Sequence, residues 1–252
     1  MNIFTLLFQE VLYRPLLNFL VFIYSLPPHD LGVAILILTL IVKLALWPLT
    51  KKTILEQRKS QEVSMKLQSE MQKLREKYKD NPQKQNEELS KIFKDQKFNP
   101  FASFIPMIIQ LVILIALYQV FRDIGNPGQN LMLYSFIKNP GSINPISFGF
   151  LNLTKPNVFL AVLVGFVQYI QTMMIQPKLT AKQKKQNPAL AMQSPMNIMM
   201  SFFIVIIALR VPSSLALFWC LSGIFAIIQQ KLILKQQLMD GNKQQKIKNQ
   251  KL

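Results

Sequence analysis

LGVAILILTLIVKLALWPLT, residues 31–50, is an apolar segment about as long as a helix that crosses a bilayer. Its only charged residue is Lys43. A lysine at such a depth costs about 3 kcal/mol on scales of membrane insertion. Because an apolar residue would insert more readily, we predict that Lys43 serves a function.

Similar apolar segments recur along the chain and indicate its class. Half of the 252 residues are hydrophobic, although the formal net charge is +17. A soluble nucleic-acid-binding protein rarely carries such long apolar runs, so that class is disfavoured. We predict an all-α polytopic membrane protein with five transmembrane helices. They lie at residues 31–50, 101–121, 158–175, 196–209 and 215–228.

The distribution of basic residues predicts the topology. Residues 51–99, 178–195 and 229–252 hold 23 of the 29 Lys and Arg residues. The positive-inside rule places these three segments in the cytoplasm, with the N-terminus outside and the C-terminus inside. No basic region precedes Arg14, as it would in a secretory signal peptide. We therefore expect a multi-pass protein of the bacterial plasma membrane.

The segment before the first predicted span is ambiguous. Glu10 and Arg14 interrupt residues 3–26, and the part free of charge, Leu16–Leu26, has 11 residues, which is too short to span. We therefore predict that residues 1–30 form an amphipathic helix on the outer surface of the membrane. If this segment did span, the N-terminus would lie inside and the other five spans would keep their places.

Residues 51–99 are predicted to form a helical hairpin in the cytoplasm. Asn81 and Pro82 are suited to begin its second helix, as N-cap and first residue. Apolar residues recur at spacings of three and four, as in amphipathic helices. They are Val63, Leu67, Met71, Leu74 and Tyr78 in the first helix, and Leu89, Ile92 and Phe93 in the second. Two interpretations stay open: a solvated connector that sets topology, or a docking arm for a ribosome, a targeting factor or an incoming chain.

The last two predicted spans are short. Each has 14 residues, which cover about 21 Å of a hydrocarbon core of about 30 Å. Either the bilayer thins around them, or the helices continue past the apolar stretch, for example through Gln229, Gln230 and Lys231. Both interpretations stay open.

Three glutamines place polar groups inside the predicted spans. Gln110 lies in the second span, and Gln168 and Gln171 lie on one face of the third. Such residues usually point into a helix bundle and hydrogen-bond across it. Together with Lys43 they predict a polar surface within the membrane. The five runs contain no Asp or Glu, which a proton-coupled carrier would usually need.

The sequence carries no pattern for covalent or metal chemistry. His29 and Cys220 are its single histidine and single cysteine, too few for a disulfide or a zinc site. Neither an HExxH pattern nor a Gly-rich phosphate loop is present. We therefore predict a protein that is not an enzyme and has no cofactor and no metal.

Three segments resemble the YidC/Oxa/Alb family of membrane protein insertases. LTLIVKLALWPLT (38–50) resembles the first core span, PMIIQ (106–110) with ALY (116–118) the second, and LALFW (215–219) with QQ (229–230) the fifth. The resemblance covers roughly residues 1–235, and the chain looks like the short form without a large extracytoplasmic domain.

The resemblance implies a hydrophilic groove, open to the cytoplasm and to lipid and closed on the outer side. Lys43 matches its basic residue, which is most often Arg in the family. Lysine keeps the charge but lacks the planar fork of arginine, so long-range attraction is expected to survive better than a bidentate grip. Gln171 and Trp219 match a groove glutamine and an aromatic residue of the fifth span, and Gln168 and Gln110 are further candidates.

These observations predict an insertase or chaperone without catalytic chemistry. A short segment of a nascent membrane protein would enter the groove, attracted by Lys43, and its apolar part would move sideways into lipid. Lys43 lies eight residues from Lys51, or about 12 Å, which exceeds the reach of a snorkelling lysine and favours a wet groove. A small-solute transporter or channel is the alternative class, and a purely chaperone-like assembly factor also stays open.

The predicted partners follow from this function. They are nascent membrane proteins, anionic lipids, a general translocation channel and the ribosome, reached through the hairpin 51–99 and a basic tail; DNA is not expected.

The predicted domains are the helix 1–30, the core 31–235 and the tail 236–252. The tail holds Lys243, Lys246, Lys248 and Lys251. We predict that it is disordered and either binds ribosomal RNA or lipid or only marks the inside.

Overall fold

The computed structural model describes residues 3–59, 74, 77–79, 81–95, 105–126, 131–175 and 193–249. Backbone contacts divide the chain into two compact units. One unit holds Met1–Trp47 with Gln110–Leu252, and the other holds Pro48–Ile109. The domain boundaries at residues 30 and 235 stay predictions.

Helices make up most of the described chain. Gln9–Tyr13 is a π-helical segment that joins the first two helices. The helices are α1 (Ile3–Phe8), α2 (Arg14–Tyr24), α3 (Leu31–Ala45), α4 (Trp47–Lys59), α5 (Pro82–Asp95), α6 (Ile105–Ile124), α7 (Val158–Ile175), α8 (Gln193–Ala208) and α9 (Ser213–Asn249). Two short strands, β1 (Ile146–Ser147) and β2 (Leu151–Asn152), pair antiparallel. The chain is mostly helical, as predicted, and this short two-stranded hairpin between α6 and α7 was not predicted.

Among the described residues, two helices are long and apolar enough to cross a membrane, Thr5–Tyr24 and Ser213–Gln237. The pair α3 and α4 becomes a third candidate if both helices count as one span. Val158–Met174 and Ile198–Ala208 are shorter apolar helices. The architecture is therefore a mostly helical protein with two or three candidate spans, and the count of five stays a prediction.

The N-terminal helix is continuous and apolar over a length that could cross a membrane. Glu10 and Arg14 do not interrupt it, because they are four residues apart and pair at 3.0 Å on one side of the helix. Thr5–Tyr24 therefore has 20 residues of continuous helix. The segment is therefore long enough to span, contrary to the prediction from its apolar part, and its place on the outer surface stays a prediction.

The larger unit is built around α9, which packs against α3 and α7. Glycines permit close approach at two helix contacts. A Cβ on Gly223 of α9 would lie 2.5 Å from Val167 Cγ1 of α7, and one on Gly165 of α7 would lie 2.2 Å from Val205 Cγ2 of α8. Small residues let apolar helices approach closely in this way. The helix α9 is thus adjacent to both α3 and α7, which carry predicted site residues.

The last helix extends far beyond the apolar run 215–228. Its spanning candidate, Ser213–Gln237, has 25 residues, or about 38 Å. Of the two interpretations of the fifth span, the structure supports the extension through Gln229, Gln230 and Lys231. The backbone stays helical to Asn249, so the prediction of a disordered tail was wrong over 236–249. Lys and Gln are good helix formers, and elongation of an existing helix needs no new nucleus.

In the smaller unit, Pro48–Ile109, the start of α5 confirms a prediction. Asn81 Oδ1 accepts a hydrogen bond from the backbone N–H of Lys84 at 3.1 Å, and Pro82 is the first helical residue. The apolar residues Val63, Leu67 and Met71 lie outside the described residues, as do the side chains of Leu89, Ile92 and Phe93. The hairpin therefore stays a prediction.

Candidate functional site

Pro48 fixes the end of the helix that carries Lys43. A proline has no backbone N–H, and its ring clashes with the carbonyl four residues earlier, here that of Leu44. The helix α3 accordingly ends at Ala45, and the N–H of Leu46 bonds to the carbonyl of Val42 at 3.0 Å. The carbonyl of Lys43 belongs to the last turn, where helix carbonyls lack partners within the helix.

Gln229 of α9 supplies a partner for this carbonyl. Its Nε2 donates to the Lys43 carbonyl oxygen at 3.2 Å, and the side chain is buried, with 3% of its surface exposed. A buried carbonyl without a partner costs about 1–3 kcal/mol, so this bond stabilises the end of α3 against α9. In the sequence Gln229 is only a residue that extends the fifth span, because no local pattern pairs it with Lys43.

The side chain of Lys43 reaches a second helix. Its Nζ donates to Oε1 of Gln110 in α6 at 3.4 Å, and the residue is half-buried. No carboxylate of the described residues forms an ion pair with it. We call Lys43, Gln110 and Gln229 the Lys43 cluster. The structure thus brings Lys43 and Gln110 together, and the role of both residues stays a prediction.

Several buried polar atoms of this region have unused hydrogen-bonding capacity. Within the described part of the chain, Gln110 Nε2, Gln229 Oε1 and Ser222 Oγ are buried and have no hydrogen-bond partner. Buried polar groups in proteins are nearly always bonded to protein or water. Two of the three atoms belong to the Lys43 cluster, which therefore offers one free donor and one free acceptor.

Gln171 of α7 lies beside α9, at the level of Gly223. A Cβ built on Gly223 would stand 3.8 Å from Gln171 Oε1, so the glycine leaves space in front of this amide. Gly223 and Gln229 are six residues apart on α9, or about 9 Å along the helix axis. Gln171 and the Lys43 cluster therefore lie at different positions along the axis of α9.

The two remaining candidates are placed less directly. Gln168 bonds within its own helix: its Nε2 donates to Thr172 Oγ1 at 3.4 Å, and the Thr172 hydroxyl donates to the Gln168 carbonyl at 2.8 Å. Trp219 is half-buried one helical turn before Gly223. Among the described residues no hydrogen bond joins Lys43 to Gln168, Gln171 or Trp219.

At the opposite end of α3, residues 131–157 are hydrogen-bonded to the ends of several helices; we call this segment the cover. Asp30 caps this helix by accepting from the backbone N–H groups of Gly32 and Val33, at 2.8 and 3.1 Å, and it also accepts from the N–H of Phe148 at 2.7 Å. The side chain of Ser147 donates to the same carboxylate. The hairpin between α6 and α7 is thereby fixed to the N-terminus of α3.

Two further side chains, Asn18 and Ser213, hold this cover in place with three hydrogen bonds. Asn18 of α2 is buried; its Nδ2 donates to the carbonyl of Met132 at 3.0 Å, and its Oδ1 accepts from the N–H of Tyr134 at 2.7 Å. At the start of α9, the Ser213 hydroxyl donates to the carbonyl of Lys155 at 2.5 Å. Residues 131–157 therefore contact α2 and the N-terminal ends of α3 and α9. These ends lie far from the Lys43 cluster. The sequence analysis missed Asn18, because a single asparagine in an ambiguous helix carries no local signal of its distant partners.

The apolar helices carry a lysine, glutamines and unsatisfied polar atoms at one end and the cover at the other. This arrangement is that of a helical membrane protein with polar side chains between its helices. Comparison with known families gives the particular one. The chain matches the family model described as 60Kd inner membrane protein over residues 22–241. It belongs to this family, which confirms the resemblance of its three segments.

Individual relatives agree. The chain is 33% identical to "Membrane protein insertase YidC" of Clostridium tetani over 219 residues, which cover 86% of this chain and 88% of the relative. It is 29% identical to the protein of the same name from Fusobacterium nucleatum over 230 residues, 90% of this chain and 98% of the relative. A longer relative with that name, from Nitratidesulfovibrio vulgaris, is 30% identical over 226 residues, 90% of this chain but 38% of its own length. The chain thus spans most of the shorter relatives and about two fifths of the longer one.

Proposed function

We propose that this chain is a membrane protein insertase that passes short segments of nascent membrane proteins through a hydrophilic intramembrane groove and releases their apolar segments into lipid. The printed names of its relatives and the family match over residues 22–241 support this activity. The observation that carries the mechanism is Lys43, a charge in an apolar helix that bonds to an amide and has no carboxylate partner among the described residues.

The first step is electrostatic attraction of an acidic client segment. Moving a carboxylate to the middle of a membrane costs about 3 kcal/mol on insertion scales. A lysine about 4 Å away, at an effective dielectric constant near 20, returns about 4 kcal/mol. The two magnitudes are similar, so Lys43 compensates for the cost of entry without trapping the segment. A fixed carboxylate partner would cancel this attraction, which is why the amide contact of Lys43 matters.

The second step is solvation of the client backbone. An extended segment in a membrane carries N–H and C=O groups that each need a partner. In the Lys43 cluster, Gln110 Nε2 offers a donor and Gln229 Oε1 an acceptor, either directly or through water, and Ser222 Oγ lies two turns before Gln229. Gln171, Gln168 and Trp219 extend this proposed surface along α7 and α9.

The third step is release of the apolar segment into lipid. Each buried CH₂ group contributes about 0.8 kcal/mol, so partitioning of a client helix supplies the driving free energy. The cover at residues 131–157 closes the groove on the side opposite to entry. No covalent step and no nucleotide belong to this scheme, which is that of an insertase rather than an enzyme.

The topology and the partners complete the proposal. Five spans, an outside N-terminus and a cytoplasmic C-terminus agree with the three basic segments. The hairpin 51–99 and the tail 236–252 bind ribosomes or anionic lipid, and a translocation channel receives some clients. The support for these partners is the basic charge of both segments.

Substitution of Lys43 tests the proposal. In cells depleted of their own insertase, Lys43→Arg is expected to support insertion of a single-span client with an acidic outer segment, and Lys43→Ala is expected to insert it less efficiently. Lys52→Ala is the matched control, because Lys52 is exposed and lies on the neighbouring helix. Normal insertion by Lys43→Ala would exclude the electrostatic role. Solute flux through liposomes that contain the purified protein, without insertion of a client, would instead indicate a transporter or channel.

A further inference from the structure

The hairpin between α6 and α7 exposes large apolar side chains. Phe150 has 81% of its surface exposed, and Ile146 and Phe148 are also exposed. Val158 and Phe159, at the first turn of α7, are exposed as well. Several large exposed apolar side chains in one short segment indicate a surface that has a binding partner. We call Phe148–Phe150 the hairpin tip.

The hairpin lies where two apolar helices begin. Ser147 Oγ accepts from the backbone N–H of Gly32, in the first turn of α3, at 2.9 Å. A Cβ on Gly32 would overlap Ser147, so only glycine permits this approach. After β2, the carbonyl of Leu153 accepts from the N–H of Ser214, in the first turn of α9, at 2.9 Å. Because α9 contains a candidate span that starts at Ser213, the hairpin is held beside the N-terminal ends of α3 and of this candidate span.

The backbone of the tip is held in an unfavourable conformation. Phe148 has φ of 54° and Gly149 has φ of 79°. Glycine adopts positive φ at no steric cost, but a bulky residue such as phenylalanine rarely does. The Asp30 carboxylate holds Phe148 there by accepting its N–H. The ring of Phe148 also lies against Gly32, where a Cβ would be 2.6 Å from Phe148 Cε2. Phe148 therefore fixes the hairpin to α3, and Phe150 is the more exposed ring of the tip.

We propose that the hairpin tip inserts into the lipid leaflet that surrounds the N-terminal ends of α3 and α9. Its partner is the boundary between headgroups and acyl chains, where aromatic side chains are preferred. A lipid partner is favoured over a protein partner because the bonds to Gly32 and Ser214 fix the depth of the hairpin at the ends of apolar helices. A hairpin held at this boundary also sets the depth of Lys43, which lies 12 residues after Leu31, or about 18 Å further along α3.

Site-directed spin labelling tests the proposal on the full chain. The buried Cys220 is replaced by alanine, and a nitroxide is attached at Phe150→Cys, where the high exposure of the native side chain makes the change compatible with folding. The protein is reconstituted at low density into vesicles of phosphatidylcholine and phosphatidylglycerol. Collisions of the label with oxygen, which concentrates in lipid, are compared with collisions with a water-soluble nickel chelate.

Two control positions calibrate the depth. Ser142→Cys is an exposed polar site in the same segment. Val162→Cys is an exposed site in α7, one helical turn after Val158. A label at Phe150 is expected to give a several-fold higher oxygen-to-nickel ratio than one at Ser142, but a lower ratio than one at Val162. A ratio equal to that of Ser142 would place the tip in water. Low collision rates with both reagents would show that protein covers the tip, and either result overturns the proposal.

Discussion

Gln229 Nε2 lies 3.2 Å from the carbonyl oxygen of Lys43 and joins two residues that are 186 positions apart in the chain. The bond takes up a carbonyl in the last turn of α3, which ends at Ala45. The position of the Lys43 charge is therefore set by α9 as well as by its own helix.

Gln229→Met is expected to impair insertion through Lys43. Methionine has a similar size but no donor, so the Lys43 carbonyl loses its partner, at a cost of about 1–3 kcal/mol for a buried carbonyl left unpaired. Thermal unfolding in detergent should show a corresponding loss of stability. Insertion of a client with an acidic outer segment should fall, while Gln230→Met, at a neighbouring buried glutamine, should have less effect.

A double substitution separates positioning from general damage. If Gln229 acts through Lys43, Lys43→Ala with Gln229→Met should insert clients as well as Lys43→Ala alone, because coupled residues are not additive. Independent, additive losses in the double variant would contradict the positioning role but would leave the role of Lys43 intact.

Gly223→Ala is expected to disturb the surface around Gln171. The new Cβ would lie 2.5 Å from Val167 Cγ1 and 3.8 Å from Gln171 Oε1, and overpacking of this kind costs about 1–3 kcal/mol. Gly165→Ala is the matched control, because its Cβ would lie 2.2 Å from Val205 Cγ2 and near no candidate residue. Both variants should unfold at lower temperature. Only Gly223→Ala should weaken crosslinking between a photoreactive residue at position 171 and a stalled nascent chain; equal crosslinking in both variants would argue against a client surface there.

The attachment of the β1–β2 hairpin to α3 is expected to weaken as the pH falls. Burial raises the pKa of Asp30. The hydrogen bonds from Ser147, Phe148, Val33 and Gly32 together lower it by more, so the pKa lies below its ordinary value. A folded-state pKa below the unfolded one means that the carboxylate stabilises the fold above its ordinary pKa, about 3.9, and that this contribution is lost as the pH falls through the folded value.

Asp30→Asn should therefore be less stable than the wild type at neutral pH, and the difference should shrink below about pH 4. Thermal unfolding in detergent between pH 7 and pH 3 measures this difference. Glu10→Gln, in an exposed ion pair with Arg14, serves as a control for a general loss of negative charge. A difference for Asp30→Asn that is constant across the range would show that the carboxylate charge does not hold the hairpin.

Deletion of residues 240–252 is expected to weaken co-sedimentation with ribosomes. The deleted segment carries Lys243, Lys246, Lys248 and Lys251, and contacts between lysines and phosphates weaken as salt rises. The loss should therefore be largest at low ionic strength. A full-length variant with these four lysines changed to glutamine separates charge from length. Unchanged sedimentation of both variants would leave the tail with a role in topology alone.

Sequence patterns located much of the protein because they are local. Hydropathy placed apolar helices that overlap α3, α6, α7, α8 and α9. The Asn81–Pro82 signal gave the start of α5, since capping depends on neighbouring residues. The cost of a charge in an apolar segment singled out Lys43, and the three quoted segments gave the family.

Other features depended on contacts between distant residues, and only the tertiary structure decided them. The N-terminal helix and α9 exceed their apolar runs, because helix packing and elongation extend them past the hydropathy signal. Asn18 and Asp30 gained their roles from partners more than a hundred positions away. The sequence by itself determined that a lysine lies among apolar helices of a membrane protein. The packing of α9 against α3 decided where that charge is held, because the donor that binds the end of its helix belongs to Gln229.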